Sequence, residues 1–62
     1  MSKYIVRLNN KYITEYSFRT GYMEFGTKDK ALRFGSADEA GDALVDVVWG
    51  GDDEPPEIEE VE

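Results

Sequence analysis

Sixty-two residues with no cysteine and no histidine make one small domain, without disulfide staples and without soft ligands for a transition metal. The formal net charge is −7, from seven Lys and Arg against fourteen Asp and Glu, which makes a polyanion an unfavourable partner. No apolar run approaches the roughly 18 residues of a membrane span. No apolar signal segment follows Met1-Ser2-Lys3-Tyr4, so the chain is expected to be cytoplasmic.

The charge is unevenly placed. Residues 1–49 balance seven bases against seven acids, while residues 50–62 carry seven acids and no base. Within the first part, the bases all precede Gly35. From Ser36 to Trp49 there are four acids and no base. A mildly basic region therefore precedes an acidic one.

Lys3 to Leu8 reads as a strand, with Lys3 and Arg7 on the face of Ile5. Asn9-Asn10 is a turn, because Asn tolerates the left-handed conformation that tight hairpins need. Lys11 to Tyr16 is the returning strand. The turn allows two registers. A two-residue loop pairs Val6 with Ile13; a three-residue loop pairs Leu8 with Tyr12 and Tyr4 with Tyr16. The second sets aromatic and aliphatic residues opposite one another and is preferred. After a loop over Ser17 to Gly21, Tyr22 to Phe25 forms a third strand ending at Gly26. Thr27-Lys28-Asp29-Lys30 resembles one helical turn or a β-turn, and Ala31 to Phe34 a short fourth strand broken by Gly35.

Ser36-Ala37-Asp38-Glu39 fits the capping box, in which a serine hydroxyl and a glutamate carboxylate satisfy orphan amides at a helix start. Ala40, Leu44, Val47 and Val48 recur at helical spacing, so the helix is expected to run to Trp49 and stop at Gly50-Gly51. Asp38, Asp42 and Asp46 lie at four-residue intervals on another face. Beyond Gly51 only Ile58 and Val61 are strongly apolar. By composition that segment cannot offset its ordering entropy.

The expected architecture is α+β: an antiparallel three- to four-stranded sheet with one C-terminal helix packed on one face. Residues 1–49 are expected to form the domain and residues 50–62 a disordered acidic tail. Its core is read as Tyr4, Val6, Leu8, Phe25, Phe34, Ala40, Leu44, Val47 and Val48. A sheet face left uncovered would be buried by a homodimer.

Most chemistry is disfavoured. Nucleophilic catalysis needs a base beside the nucleophile, and Ser36 is accounted for as a helix cap. Glu15 and Glu24 could in principle run acid–base chemistry, but they read more simply as solvent-facing strand residues. Asp52-Asp53-Glu54 lacks the spacing of an EF-hand loop. No enzyme activity, cofactor or metal is expected.

Two binding readings remain, beside a third expectation in which the acidic tail folds back on the basic strands and masks them. Asp38, Asp42 and Asp46 on the helix, continued by Asp52, Asp53 and Glu54, present a phosphate-like array to a basic groove on another protein. Alternatively, Arg7 and Arg33 with Tyr12 and Tyr22 form a single-strand nucleic-acid face, regulated by the acidic tail.

Two segments carry a resemblance: Lys3-Tyr-Ile-Val-Arg-Leu-Asn-Asn-Lys-Tyr-Ile13 and Lys30-Ala-Leu-Arg-Phe-Gly-Ser-Ala-Asp-Glu-Ala40. The first resembles the opening hairpin, and the second the strand-to-helix junction, of small acidic accessory proteins of bacteriophages and prophages. Anti-CRISPR inhibitors are among these, and several mimic DNA. The matching positions determine fold, so the resemblance assigns no functional residue. It implies an inhibitor acting in a bacterial cytoplasm on a nucleic-acid-handling protein, a CRISPR effector being one such target.

Overall fold

The computed structural model describes residues 2–61; Met1 and Glu62, the last acid of the expected tail, lie outside the described residues. Strands β1 (Lys3–Leu8), β2 (Lys11–Ser17) and β3 (Tyr22–Gly26) are followed by a 3₁₀ turn at Lys28–Lys30, the helix α1 (Ala37–Val45) and strand β4 (Glu57–Val61). The sheet order is β3-β2-β1-β4, with every neighbouring pair antiparallel. The class is α+β, as its sequence implies, but the helix is not C-terminal, because β4 follows it.

The β1–β2 turn differs from the preferred register. Arg7 stands opposite Tyr12 and Leu8 opposite Lys11, which is the two-residue loop. Asn9 makes this possible by taking the left-handed region at φ 57°, so the tight turn forms without glycine. The direct pairing of β1 with β2 is short. Beyond it Tyr4 and Phe34 exchange both backbone hydrogen bonds, at 3.0 and 2.7 Å, and Leu32 N–H donates to the Ile13 carbonyl at 2.8 Å. The segment read as a fourth strand over Ala31 to Phe34 is thus reduced to a bridge bonded to both strands.

A β-bulge in β2 decides which side chains face the helix. Tyr12 and Ile13 oppose Gly26 and Phe25, whereas Glu15 and Tyr16 oppose Glu24 and Met23, leaving Thr14 as the extra residue. Side-chain alternation reverses there, so Ile13 and Tyr16 share a face although they are three apart. Gly26 lies against the bulge. A Cβ at that position would come within 3.0 Å of the Thr14 methyl, tighter than ordinary packing permits.

The core lies between this face and α1. Val6, Leu8, Ile13, Phe34, Ala40, Ala43 and Val47 are buried, flanked by Tyr4, Tyr16, Met23, Phe25, Leu32 and Leu44. Ala40 and Ala43 are the helix residues with no exposed surface, and their small size lets the helix lie close on the sheet. Ser36 caps α1, its hydroxyl accepting from Glu39 N–H at 3.2 Å. The Glu39 carboxylate accepts from Gly35 N–H at 3.0 Å, a capping box displaced by one residue.

The helix stops at Val45, short of Trp49. Its last turn tightens through Asp46 N–H to the Ala43 carbonyl and Val47 N–H to the Leu44 carbonyl. No base offsets the dipole there. Leaving the helix directs Val47 into the core and turns Val48 out to 93% exposure, so Val48 is not a core residue.

Residues 57–61, expected to belong to a disordered tail, form β4. All five pair with β1, from Lys3 opposite Val61 to Arg7 opposite Glu57. Three causes add up. Pro55-Pro56 restricts the approach to extended backbone. Ile58 stands opposite Val6. The carboxylates of Glu57 and Glu59 both reach the Arg7 guanidinium.

The opposite face of β1 is also covered. Ile5 is buried yet lies outside the helix-side core. Lys28 Nζ sits 3.5 Å from Glu59 Oε1 and 6.0 Å from the centre of the Tyr12 ring. Glu59 flanks Ile5 on one side, and Tyr12 flanks Arg7 on the other, so Lys28 spans β1 on that face. No helix among the described residues is long and apolar enough to cross a membrane.

Candidate functional site on the acidic helix

Helix α1 carries Asp38, Glu39 and Asp42, all exposed, and no base. Asp38 and Glu39 occupy the first turn, where carboxylates complement the unpaired amides, so the same residues that start the helix also charge its surface. Asp46 sits at the other end, in the C-cap position. A carboxylate there opposes the helix dipole, and β2 provides a partner: the Tyr16 hydroxyl donates to Asp46 Oδ2 at 2.5 Å. That hydrogen bond, with smaller contributions from desolvation and from the charges of Asp46 and Asp42, pushes the Tyr16 phenol up to about 12.

Beside this contact lies a cleft of about 380 Å³ lined by Tyr16, Phe18, Phe34, Glu39 and Asp42. Each wall has a structural origin. Tyr16 faces the helix because of the bulge. Phe34 is fixed by its bridge to Tyr4. Phe18 projects from the β2–β3 connection at 77% exposure, and Gly21 closes that connection with φ +74°. The cleft therefore combines aromatic walls with two carboxylates.

The loop acids are placed differently. Asp53 is half-buried and engaged: Oδ1 accepts from Asn9 Nδ2 at 2.9 Å and Oδ2 from Gly50 N–H at 3.0 Å. Glu54 N–H in turn donates to Asn9 Oδ1 at 2.9 Å. The Gly50 amide first, and then Asn9, hold the Asp53 carboxyl below its ordinary value. Asp53 thus fastens the 50–54 loop to the β1–β2 turn, while the Asp52 and Glu54 side chains are exposed. The six acids singled out in the sequence therefore separate into a helix group (Asp38, Asp42, Asp46) and a loop group (Asp52, Asp53, Glu54). Sequence reasoning missed Glu39, Tyr16, Phe18 and Phe34 as neighbours of the helix group. In the sequence Glu39 reads as part of the helix cap and Phe34 as core, and nothing there brings Tyr16 or Phe18 beside the helix.

The basic strands offer less. Arg7 reaches Glu57 and Glu59; its Nε lies 2.9 Å from Glu59 Oε2 without the alignment of a hydrogen bond. Lys28 covers Tyr12, and the Tyr22 hydroxyl donates to Glu24. Arg33 is exposed. Glu15 and Glu24 stand opposite each other on exposed strand positions. Among the described residues no group of three or more carboxylates is arranged to hold a metal ion. No protein-family model, curated protein or solved structure matches this chain.

Proposed function

We propose that this chain is a non-enzymatic inhibitor of the phage type, which binds a basic surface of a host nucleic-acid-handling protein through its acidic helix. A CRISPR effector is one target of that kind. The observation that carries the reading is the exposed Asp38, Glu39 and Asp42 array on a helix without a single base. Its local field is not cancelled from within the element, so it attracts a basic groove over roughly a Debye length, about 8 Å at physiological salt. The tail contributes less free charge than its composition suggests, because Glu57 and Glu59 are matched by Arg7 and Lys28 and Asp53 fastens a loop.

The alternative, a single-strand nucleic-acid face, needs Arg7 and Tyr12 to be accessible. Arg7 is paired with two glutamates and Tyr12 lies under Lys28, which weighs against it. The deciding experiment is charge reversal of the two unengaged helix aspartates, Asp38→Lys with Asp42→Lys. Binding to the basic target should fall by at least tenfold, while the melting temperature falls only by the few degrees that a lysine in place of Asp38 in the first turn costs. Undiminished binding would rule out the helix as the recognition surface.

A further inference from the structure

We propose that the cleft beside α1 takes an arginine side chain presented by the partner's basic surface. This rests on the reading of function above and names the group that its acidic face engages. The cleft is more than a concentration of charge. It is lined by the aromatic residues Tyr16, Phe18 and Phe34 together with the acidic residues Glu39 and Asp42. Phe18 is 77% exposed in a chain whose helix meets the core through alanines, so its ring is spent on solvent rather than on packing. Such a ring has a use if a guest covers it.

The polar groups around the cleft are sorted in a way that favours a cation. The Tyr16 hydroxyl is occupied by Asp46, leaving its ring for contact. One Glu39 oxygen is occupied by Gly35 N–H. Asp42 is exposed, and its charge already acts on Tyr16. A guest with a flat, weakly hydrated cation meets both kinds of wall at once. A guanidinium stacks on aromatic faces and offers paired N–H donors to a carboxylate, whereas an ammonium is a compact, strongly hydrated charge. The volume of about 380 Å³ is that of a site for a small group rather than for a folded element.

The test is an NMR titration of the isotope-labelled full chain with an oligoarginine peptide and an oligolysine peptide of equal length. The expected shifts cluster at Tyr16, Phe18, Phe34, Glu39 and Asp42, with the arginine peptide binding more tightly. Phe18→Ala should weaken the arginine peptide roughly fivefold, the scale of one exposed cation–π contact, and weaken the lysine peptide less, because an ammonium keeps more of its hydration at a ring. Asp42→Asn should weaken both. Equal binding of the two peptides, with no effect of Phe18→Ala or with shifts centred on Asp52 and Glu54, would overturn the cleft while leaving the acidic-face reading intact. Binding of neither peptide would overturn both. Phe18 is exposed, so its replacement leaves the fold in place, and a thermal melt of the variant checks this.

Discussion

Ile13 and Val48 are both β-branched, apolar residues, and the structure assigns them opposite weights. Ile13 has no exposed surface, stands opposite Phe25, and is held at its carbonyl by Leu32 N–H at 2.8 Å. Val48 is 93% exposed. Removing one methylene with Ile13→Val should cost about 1 kcal/mol, and Ile13→Ala about 2–5 kcal/mol, because the site at the bulge has little freedom to collapse. A 62-residue chain is held by roughly 3–9 kcal/mol in all, so the alanine variant should lose a large part of its stability. The valine variant is the more informative one, with an expected drop in melting temperature of about 4–8 °C. Val48→Ala should stay within about 0.5 kcal/mol of the parent. Urea and thermal denaturation followed by circular dichroism measure all three. A larger cost at Val48 than at Ile13 would refute the placement of the core, and with it the bulge that turns Tyr16 towards the helix.

Two further outcomes follow from the same geometry. Tyr16 has its phenol raised from the ordinary 10 to about 12 in the fold, so the stability it contributes is complete below pH 10 and is lost as pH rises through 12. A phenolate absorbance titration should show a late step near pH 12 that Tyr16→Phe removes; a late step surviving in that variant would assign it to another tyrosine. Deleting residues 57–62 should lower the unfolding midpoint measurably, since it strips β4 from β1 and leaves Arg7 without Glu57 and Glu59. An unchanged midpoint would show that β4 adds nothing to the fold.

What could be read from the sequence was whatever depends on neighbours along the chain. The β1 boundaries, the Asn9-Asn10 turn, the third strand, the turn at Lys28–Lys30 and the Ser36 cap all rest on local propensity and on hydrogen bonds a few residues long. The failures lie where a distant partner decides. Glu57-Ile58-Glu59-Glu60-Val61 is too acidic to order by itself, yet opposite Lys3 to Arg7 its glutamates meet Arg7 and Lys28, and Ile58 meets Val6. Composition averaged over residues 50–62 hid that alternation. The Thr14 bulge cannot be seen in a simple period of two, which hides the burial of Ile13. Val48 fitted the helical stripe only while the helix was extended to Trp49; the early stop at Asp46 removed it.

The candidate site divides in the same way. The helix aspartates were legible because helical spacing alone places them. The aromatic half of the cleft was not, because Tyr16, Phe18 and Phe34 come from β2, the β2–β3 connection and the segment before α1, and converge only in the fold. Asp53 looked identical to its neighbours Asp52 and Glu54, and the Gly50 amide together with the reach of the Asn9 side chain across the chain separates it from them.

The central claim is that an acidic helix recognises a basic surface meant for nucleic acid. It is tested most directly by capturing partners from bacterial lysate on the immobilised full chain, at low and at high salt, and challenging the captured protein with added DNA or RNA. The account predicts a partner that itself binds nucleic acid, retained at low salt, released at high salt and displaced by the competing nucleic acid. A partner retained equally at both salt concentrations and indifferent to nucleic acid would contradict it.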